Sequence, residues 1–208
     1  SMLKGMTVEY LLNRSFKVQN SHRVLFHAAA GGVGLIAGQW LKYIGAESIG
    51  TVGSDDKIKL AEDAGYDHVI NYNKSNFVEE VARITGGNGV DVAYDSVGQA
   101  TYPHTLSCLK KFGLFVSFGQ SSGVIQDIAM GDLAKNGSLY AQRPTLFDFI
   151  SSKESLKQVS ENMFKMLAES HVKMHINQRY ALKDVPKAFE MLMARKTTGA
   201  TVFDVGRG

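Results

Sequence analysis

The chain has 208 residues, 44% hydrophobic and 21% charged, a composition that suits a folded globular protein and excludes wholesale disorder. No run nears the ~18 consecutive apolar residues of a membrane span, and no basic-then-apolar leader opens the sequence. Lys plus Arg (23) exceeds Asp plus Glu (20) by only 3, too little to imply nucleic acid, and Cys108 is the single cysteine, so neither an internal disulfide nor a Cys-rich zinc site can form. A reducing, cytoplasmic setting is expected. Glycine is the informative excess, with 21 residues against 3 prolines, and marks places where the backbone turns sharply or approaches something closely.

Ser1-Met2 reads as an expression remnant. Leu3 to Asn13 reads as a helix with Met6, Tyr10 and Leu3 on one face. Arg23 to Ala28 is a near-continuous apolar run, as expected of a strand buried on both faces. A glycine-rich turn follows, then a helix from Leu35 to Tyr43 closed by Gly45, and a strand over Ser48–Val52. The alternation continues with a helix over Asp56–Ala64, a strand over His68–Asn71, and a helix capped by Ser75 with Phe77, Val81 and Ile84 on one stripe. Next come a strand over Val90–Tyr94, a helix over Tyr102–Lys110, a strand over Leu114–Phe118, a helix over Ile128–Lys135 and a sixth strand over Ser138–Ala141. This regular alternation predicts an α/β fold: a Rossmann-type, doubly wound, six-stranded parallel sheet in the order 3-2-1-4-5-6.

After Arg143-Pro144 the texture changes. Ser151 and Glu154 have capping-box spacing before a long helix carrying Leu156, Val159, Met163 and Leu167. A strand near Asn177–Ala181, a helix capped by Asp184 and a last strand over Ala200–Val205 complete a C-terminal α/β appendage. The expected divisions are 1–15 (remnant and linker helix), 16–146 (dinucleotide-binding domain) and 147–208 (appendage).

Strand, then Ala29-x-Gly31-x-x-Gly34, then helix, is the dinucleotide-binding fingerprint with alanine in the first glycine's place. Gly31 lets the backbone approach a pyrophosphate, Gly34 lets the helix pack on the strand, and the amides of the helix N-terminus face the negative charge. The candidate lining of this turn is Ala30, Gly31, Gly32 and Val33. An NAD site usually carries an acid at the end of the second strand. Here that place holds Gly53, with Ser54 and Lys57 beside it, which suits a 2′-phosphate and predicts NADP(H). Asp55 and Asp56 are expected to face solvent as first-turn residues. Tyr72, after the third strand, is placed to lie against adenine or reach the phosphate. Ser96 and Val97 after strand four, and Phe118, Gly119, Gln120 and Ser121 after strand five, stand at the carboxyl edge where open α/β sheets bind ligands.

Three other patterns carry less. Gly119-x-Ser121-x-Gly123 matches a serine-hydrolase elbow, but no helix is predicted directly after it. No tyrosine has lysine four residues later, as a short-chain dehydrogenase needs. The six histidines form no zinc-helix pair, so no metal site is expected.

Jointly, Ala28 to Gly34, Gly50-Thr51-Val52-Gly53, Val69-Ile70-Asn71-Tyr72, Tyr94-Asp95-Ser96-Val97-Gly98 and Val116-Ser117-Phe118-Gly119 resemble the zeta-crystallin-type quinone oxidoreductase branch of the medium-chain dehydrogenase/reductase superfamily, from about Leu3 to Val205. The resemblance implies zinc-independent transfer of hydride from NADPH to a quinone or similar electron-poor enone. An enoyl-thioester reductase of the same superfamily is the rival reading. In such enzymes Gly53, Lys57 and Tyr72 meet the 2′-phosphate end, Phe118-Gly119 and Arg143 flank the nicotinamide, and Arg195 lies near a phosphate. The resemblance also implies a homodimer paired through the strand near Ser138–Ala141. Family members carry a preceding catalytic domain, so the chain is expected to be the cofactor half, a nucleotide-binding module with little turnover of its own.

Overall fold

A computed structural model describes residues 2–194 and 196–206. Its centre is β1 (Arg23–Phe26), paired on one side with β2 (Glu47–Val52) and on the other with β4 (Val90–Asp95). Outward from these lie β3 (His68–Asn71), β5 (Leu109–Ser117) and β6 (Tyr140–Gln142), all parallel, in the expected order β3-β2-β1-β4-β5-β6. Alternate residues of β1 face opposite cores, because side chains on a strand point to opposite faces. Val24 and Phe26 pack with Trp40, Leu41 and Tyr94, while Leu25 packs with Ile49, Ala93 and Phe115. The first core is covered by α1 (Met2–Tyr10), α2 (Gly34–Ile44) and the buried Val159, Met163 and Met166 of α7 (Lys153–Ala168). The second is covered by α4 (Phe77–Thr85) through Val81, and by Tyr102, Leu106 and Leu133.

The remaining helices are short: α3 (Ile58–Asp63), α5 (Met130–Lys135), α6 (Leu146–Phe149) and α8 (Val185–Met193). The appendage carries β7 (Ile176–Ala181) and β8 (Ala200–Asp204), paired parallel in their own two-stranded sheet. No helix among the described residues is long and apolar enough to cross a membrane.

Several local expectations are corrected. The helix expected over Tyr102–Lys110 is a 3-10 turn, His104–Cys108, and β5 already starts at Leu109. Pro103 disfavours a helical residue before it, and Gly113 adds no side chain to support helix. The helix after Ser75 is capped by Asn76, whose side-chain oxygen Oδ1 accepts from Val78 N. The capping box before α7 joins Ser152 to Ser155, one residue later than expected. Leu156 is exposed while Met166 is buried, so the stripe on α7 is shifted. Asp184 holds the N-cap position of α8 without a side-chain bond. Leu3 points to solvent rather than joining Met6 and Tyr10, Met2 is already helical, and the last turn of the first helix widens to a π-turn over Leu11–Ser15. Asp56 begins no α-helix: Asp55–Lys57 form a 3-10 turn before α3, and α5 starts two residues later than expected. The sixth strand starts at Tyr140, since Ser138 is turned to φ +55° and Leu139 is bound to Leu133 O.

Candidate cofactor-binding site

Beyond Phe26 the chain leaves the sheet. Ala28 adopts φ +57°, Ala29 N donates to Thr51 O at 2.9 Å, and Gly31 N donates back to Ala28 O at 2.9 Å. A Cβ on Gly34 would lie 2.4 Å from Ala28 O and 2.5 Å from Ala29 O. The third position of the fingerprint is therefore glycine because α2 starts against the backbone of its own turn. Tyr66 seals the arrangement by donating its hydroxyl to Gly34 O at 2.9 Å.

A hollow of about 260 Å³ opens at this turn. It brings together Ala30, Gly31, Gly53, Lys57, Tyr72, Ser96, Val97 and Ser121 from five strand ends. A Cβ on Gly53 would lie 2.6 Å from the Tyr72 hydroxyl oxygen. A side chain at 53 would push the half-exposed Tyr72 ring aside, and no acid stands at the end of β2, where an NAD site carries one. Asp55 and Asp56 are both exposed, as expected, and Asp55 is also held by its neighbours. Its carboxylate accepts from Lys74 Nζ and from Asn71 Nδ2 (2.7 Å), and these two bonds, Lys74 first, hold it below the usual carboxylate range.

The other sequence-derived residues separate into neighbouring hollows. Gly32 and Val33 face the appendage, sharing a space of about 400 Å³ with Phe189 and Gly199. Gly199 N donates to Ala30 O at 3.2 Å, so the segment leading into β8 crosses the glycine turn as a strap. Gly119 and Gln120 line a space of about 320 Å³ that Arg143 shares. Phe118 and Arg143 line another of about 440 Å³ with Thr7 and Tyr10. Arg143 Nη1 is anchored by Ser117 O at 3.0 Å. Burial pushes the Tyr10 hydroxyl up to about 12, against the opposing pull of the Arg143 charge. Ser54, beside Gly53, stands outside the lining of the first hollow, and Arg195 lies outside the described residues.

Sequence reasoning missed Thr7, Tyr10, Leu192 and Thr197 as wall residues. Thr197 had a signal, in the polar Thr197-Thr198-Gly199 tract just ahead of the last strand. Leu192 and Tyr10 had none, because both satisfy an apolar helix stripe.

The loops after β4 and β5 are stitched to each other. Ser121 N donates to Ser96 O (3.1 Å) and Ser122 N to Val97 O (2.8 Å). Asp95, fully buried, accepts from Val97 N (2.6 Å), Gly98 N (3.0 Å) and Thr101 Oγ1 (2.6 Å). Gly119 to Ala129 contain no helix, so the serine-hydrolase elbow is absent. Beneath these loops His27, also fully buried, bonds Thr51 Oγ1 and Thr105 Oγ1, each at 2.9 Å.

Burial drives the His27 imidazole below its ordinary pKa, partly offset by the Asp95 charge. The folded protein therefore binds fewer protons than the unfolded chain once pH falls below the ordinary imidazole value. Stability is full above pH ~6.5 and falls below it, by at most about 1.4 kcal/mol per pH unit for this group. Thermal melts between pH 7.5 and 5.5 are expected to show that loss, and His27→Gln to flatten it. An unchanged pH slope in the variant would assign the loss elsewhere.

Among the described residues no three His, Cys, Asp or Glu side chains gather to hold a metal. A zinc ion therefore finds no fitting donor set in these residues.

The sequence profile described as zinc-binding dehydrogenase matches residues 32–169, more than half of the chain. A quinone oxidoreductase of Salmonella typhimurium is 49% identical over 204 residues, which are 97% of this chain and 62% of that protein. The structure of Escherichia coli quinone oxidoreductase complexed with NADPH superposes with a TM-score of 0.95 at 45% identity, covering 98% of this chain and 63% of that one. The CurK enoyl reductase structure superposes with a TM-score of 0.85 at 27% identity, over 98% of this chain and 60% of that one. The chain thus spans less than two thirds of these relatives. With the glycine turn, the strand order and the matched residues in agreement, the chain belongs to the zinc-binding dehydrogenase family of the medium-chain dehydrogenase/reductase superfamily and corresponds to its cofactor-binding half.

Proposed function

We propose that this chain is the NADP(H)-binding part of a quinone oxidoreductase that passes hydride from NADPH to a quinone or similar electron-poor enone. The observation that supports the cofactor assignment is Gly53 just after β2, in a hollow lined by a lysine and, among the described residues, by no carboxylate. Lys57 and Tyr72 line the same hollow and would hold the 2′-phosphate. Gly31 and the start of α2 would hold the diphosphate, and the loops at Ser96–Val97 and Phe118–Ser121 would support the nicotinamide half. When bound, the dinucleotide supplies the hydride; the chain's own residues bind it, orient it and exclude water from it. The quinone assignment leans on the relatives at 45–49% identity. An enoyl-thioester acceptor is the second reading, supported by the weaker likeness to an enoyl reductase.

Calorimetry with NADPH and NADH tests the cofactor reading. NADPH is expected to bind about 10- to 100-fold more tightly, the worth of one charge-assisted phosphate contact. Lys57→Ala should remove most of that preference and leave NADH unchanged. Equal affinities in the unsubstituted chain would overturn it.

We also infer a homodimer joined through β6. This strand closes one side of the sheet, and the exposed ring of Tyr140 is the one large apolar side chain on it. An uncovered edge offers unpaired amides and carbonyls to a second copy. Sedimentation should give a dimer at tens of micromolar and a monomer for Tyr140→Glu. A dimer indifferent to that charge would refute the edge.

A further inference from the structure

We propose that Lys4 supplies the counter-charge for the diphosphate of the bound dinucleotide, a contribution from α1 rather than from the nucleotide fold itself. The proposal rests on the NADP(H) reading above. Lys4 Nζ lies 2.4 Å, and the strap's Gly199 O 2.6 Å, from where a Cβ on Gly32 would stand, so the ammonium and the strap both come down onto the turn over a glycine. Its one hydrogen bond is long, 3.4 Å to the carbonyl oxygen of Gly199 in the strap. No carboxylate among the described residues approaches within the 4.0 Å of an ion pair.

The ammonium is also partly out of water. Burial lowers the Lys4 pKa, with no anion to oppose the shift. A half-buried cation without a carboxylate is costly by itself, and an anionic ligand beside it removes that cost. The space holding Lys4 adjoins the cofactor hollow, with Gly31, Leu192 and Thr197 in the walls of both. A dinucleotide whose adenosine end sits at Gly53 and whose diphosphate crosses the turn toward α2 brings two negative charges to this lysine. The neutral strap carbonyl gives Lys4 a resting partner, which a phosphate oxygen can replace.

Lys4 differs from Lys57 in what it recognises, and the test uses that difference. Both NADPH and NADH carry the diphosphate, so Lys4→Met should weaken both by about 10-fold or more and leave their ratio unchanged. Lys4→Arg should restore most of the loss. Adenosine 2′-monophosphate has no diphosphate and serves as the control ligand: Lys4→Met should bind it as the unsubstituted chain does. Unchanged affinity of Lys4→Met for both dinucleotides overturns the assignment. Parallel loss of the monophosphate also overturns it, because the lysine would then act through the fold. An unsubstituted chain that binds neither dinucleotide would instead sink the NADP(H) reading on which this one stands.

Discussion

Replacing Gly34 by valine is expected to lower stability by about 3 kcal/mol and to abolish nucleotide binding. A side chain there meets backbone, not a flexible neighbour: the nearest atoms are the carbonyl oxygens of Ala28 and Ala29. Relief requires α2 to move off the turn, which breaks the Tyr66 hydroxyl bond to Gly34 O and withdraws the helix N-terminus from the cofactor path. For a chain of this size the loss corresponds to a fall in melting temperature of about 6–12 °C. Differential scanning calorimetry reads the first effect and NADPH titration the second. A variant that melts within a degree or two of the unsubstituted chain would show that the turn can open without penalty.

Arg14→Met is expected to cost about 3 kcal/mol through the carboxylate it pairs with on α1. Glu9 is fully buried on α1, and its carboxylate accepts from Arg14 Nε at 2.9 Å and from Asn162 Nδ2 at 2.8 Å. Removing the guanidinium leaves a buried charge with only an amide for company. The double variant Glu9→Gln, Arg14→Met should recover a large part of the loss, since it removes the charge as well as its partner. Urea unfolding of both single variants and the double variant measures the coupling. Additive losses would mean that the carboxylate and the guanidinium stabilise the chain independently.

The sheet was legible because each strand carries its own punctuation. Runs such as Val24-Leu25-Phe26 end at a glycine-rich turn, and the helices between the strands keep an apolar stripe, so period and spacing agree. The segment Tyr102–Cys108 was misread because its apolar residues have helical spacing while Pro103 works against a helix. Cap positions slipped by one residue at Asn76 and Ser152, where neighbouring polar side chains could each have done the same job.

At the site, the residues proposed for the adenosine end were legible because the fingerprint fixes their distance along the chain. Gly32 and Val33 belong to the same motif but face the strap, and nothing local announces that contact. Leu192, Thr197 and Lys4 reach the site only through the tertiary path of the appendage and α1, which motif spacing cannot encode.

The strap and the buried carboxylate have a further consequence during synthesis. The sheet is complete once Gln142 has been made, but α1 finds its partners much later. Glu9 waits for Asn162, 153 positions on, and Lys4 for Gly199, 195 positions on. A chain emerging from the ribosome would therefore hold a finished sheet while the flank of α1 that α7 covers stayed bare, and a chain stalled near residue 150 would expose that flank to chaperones until α7 arrived.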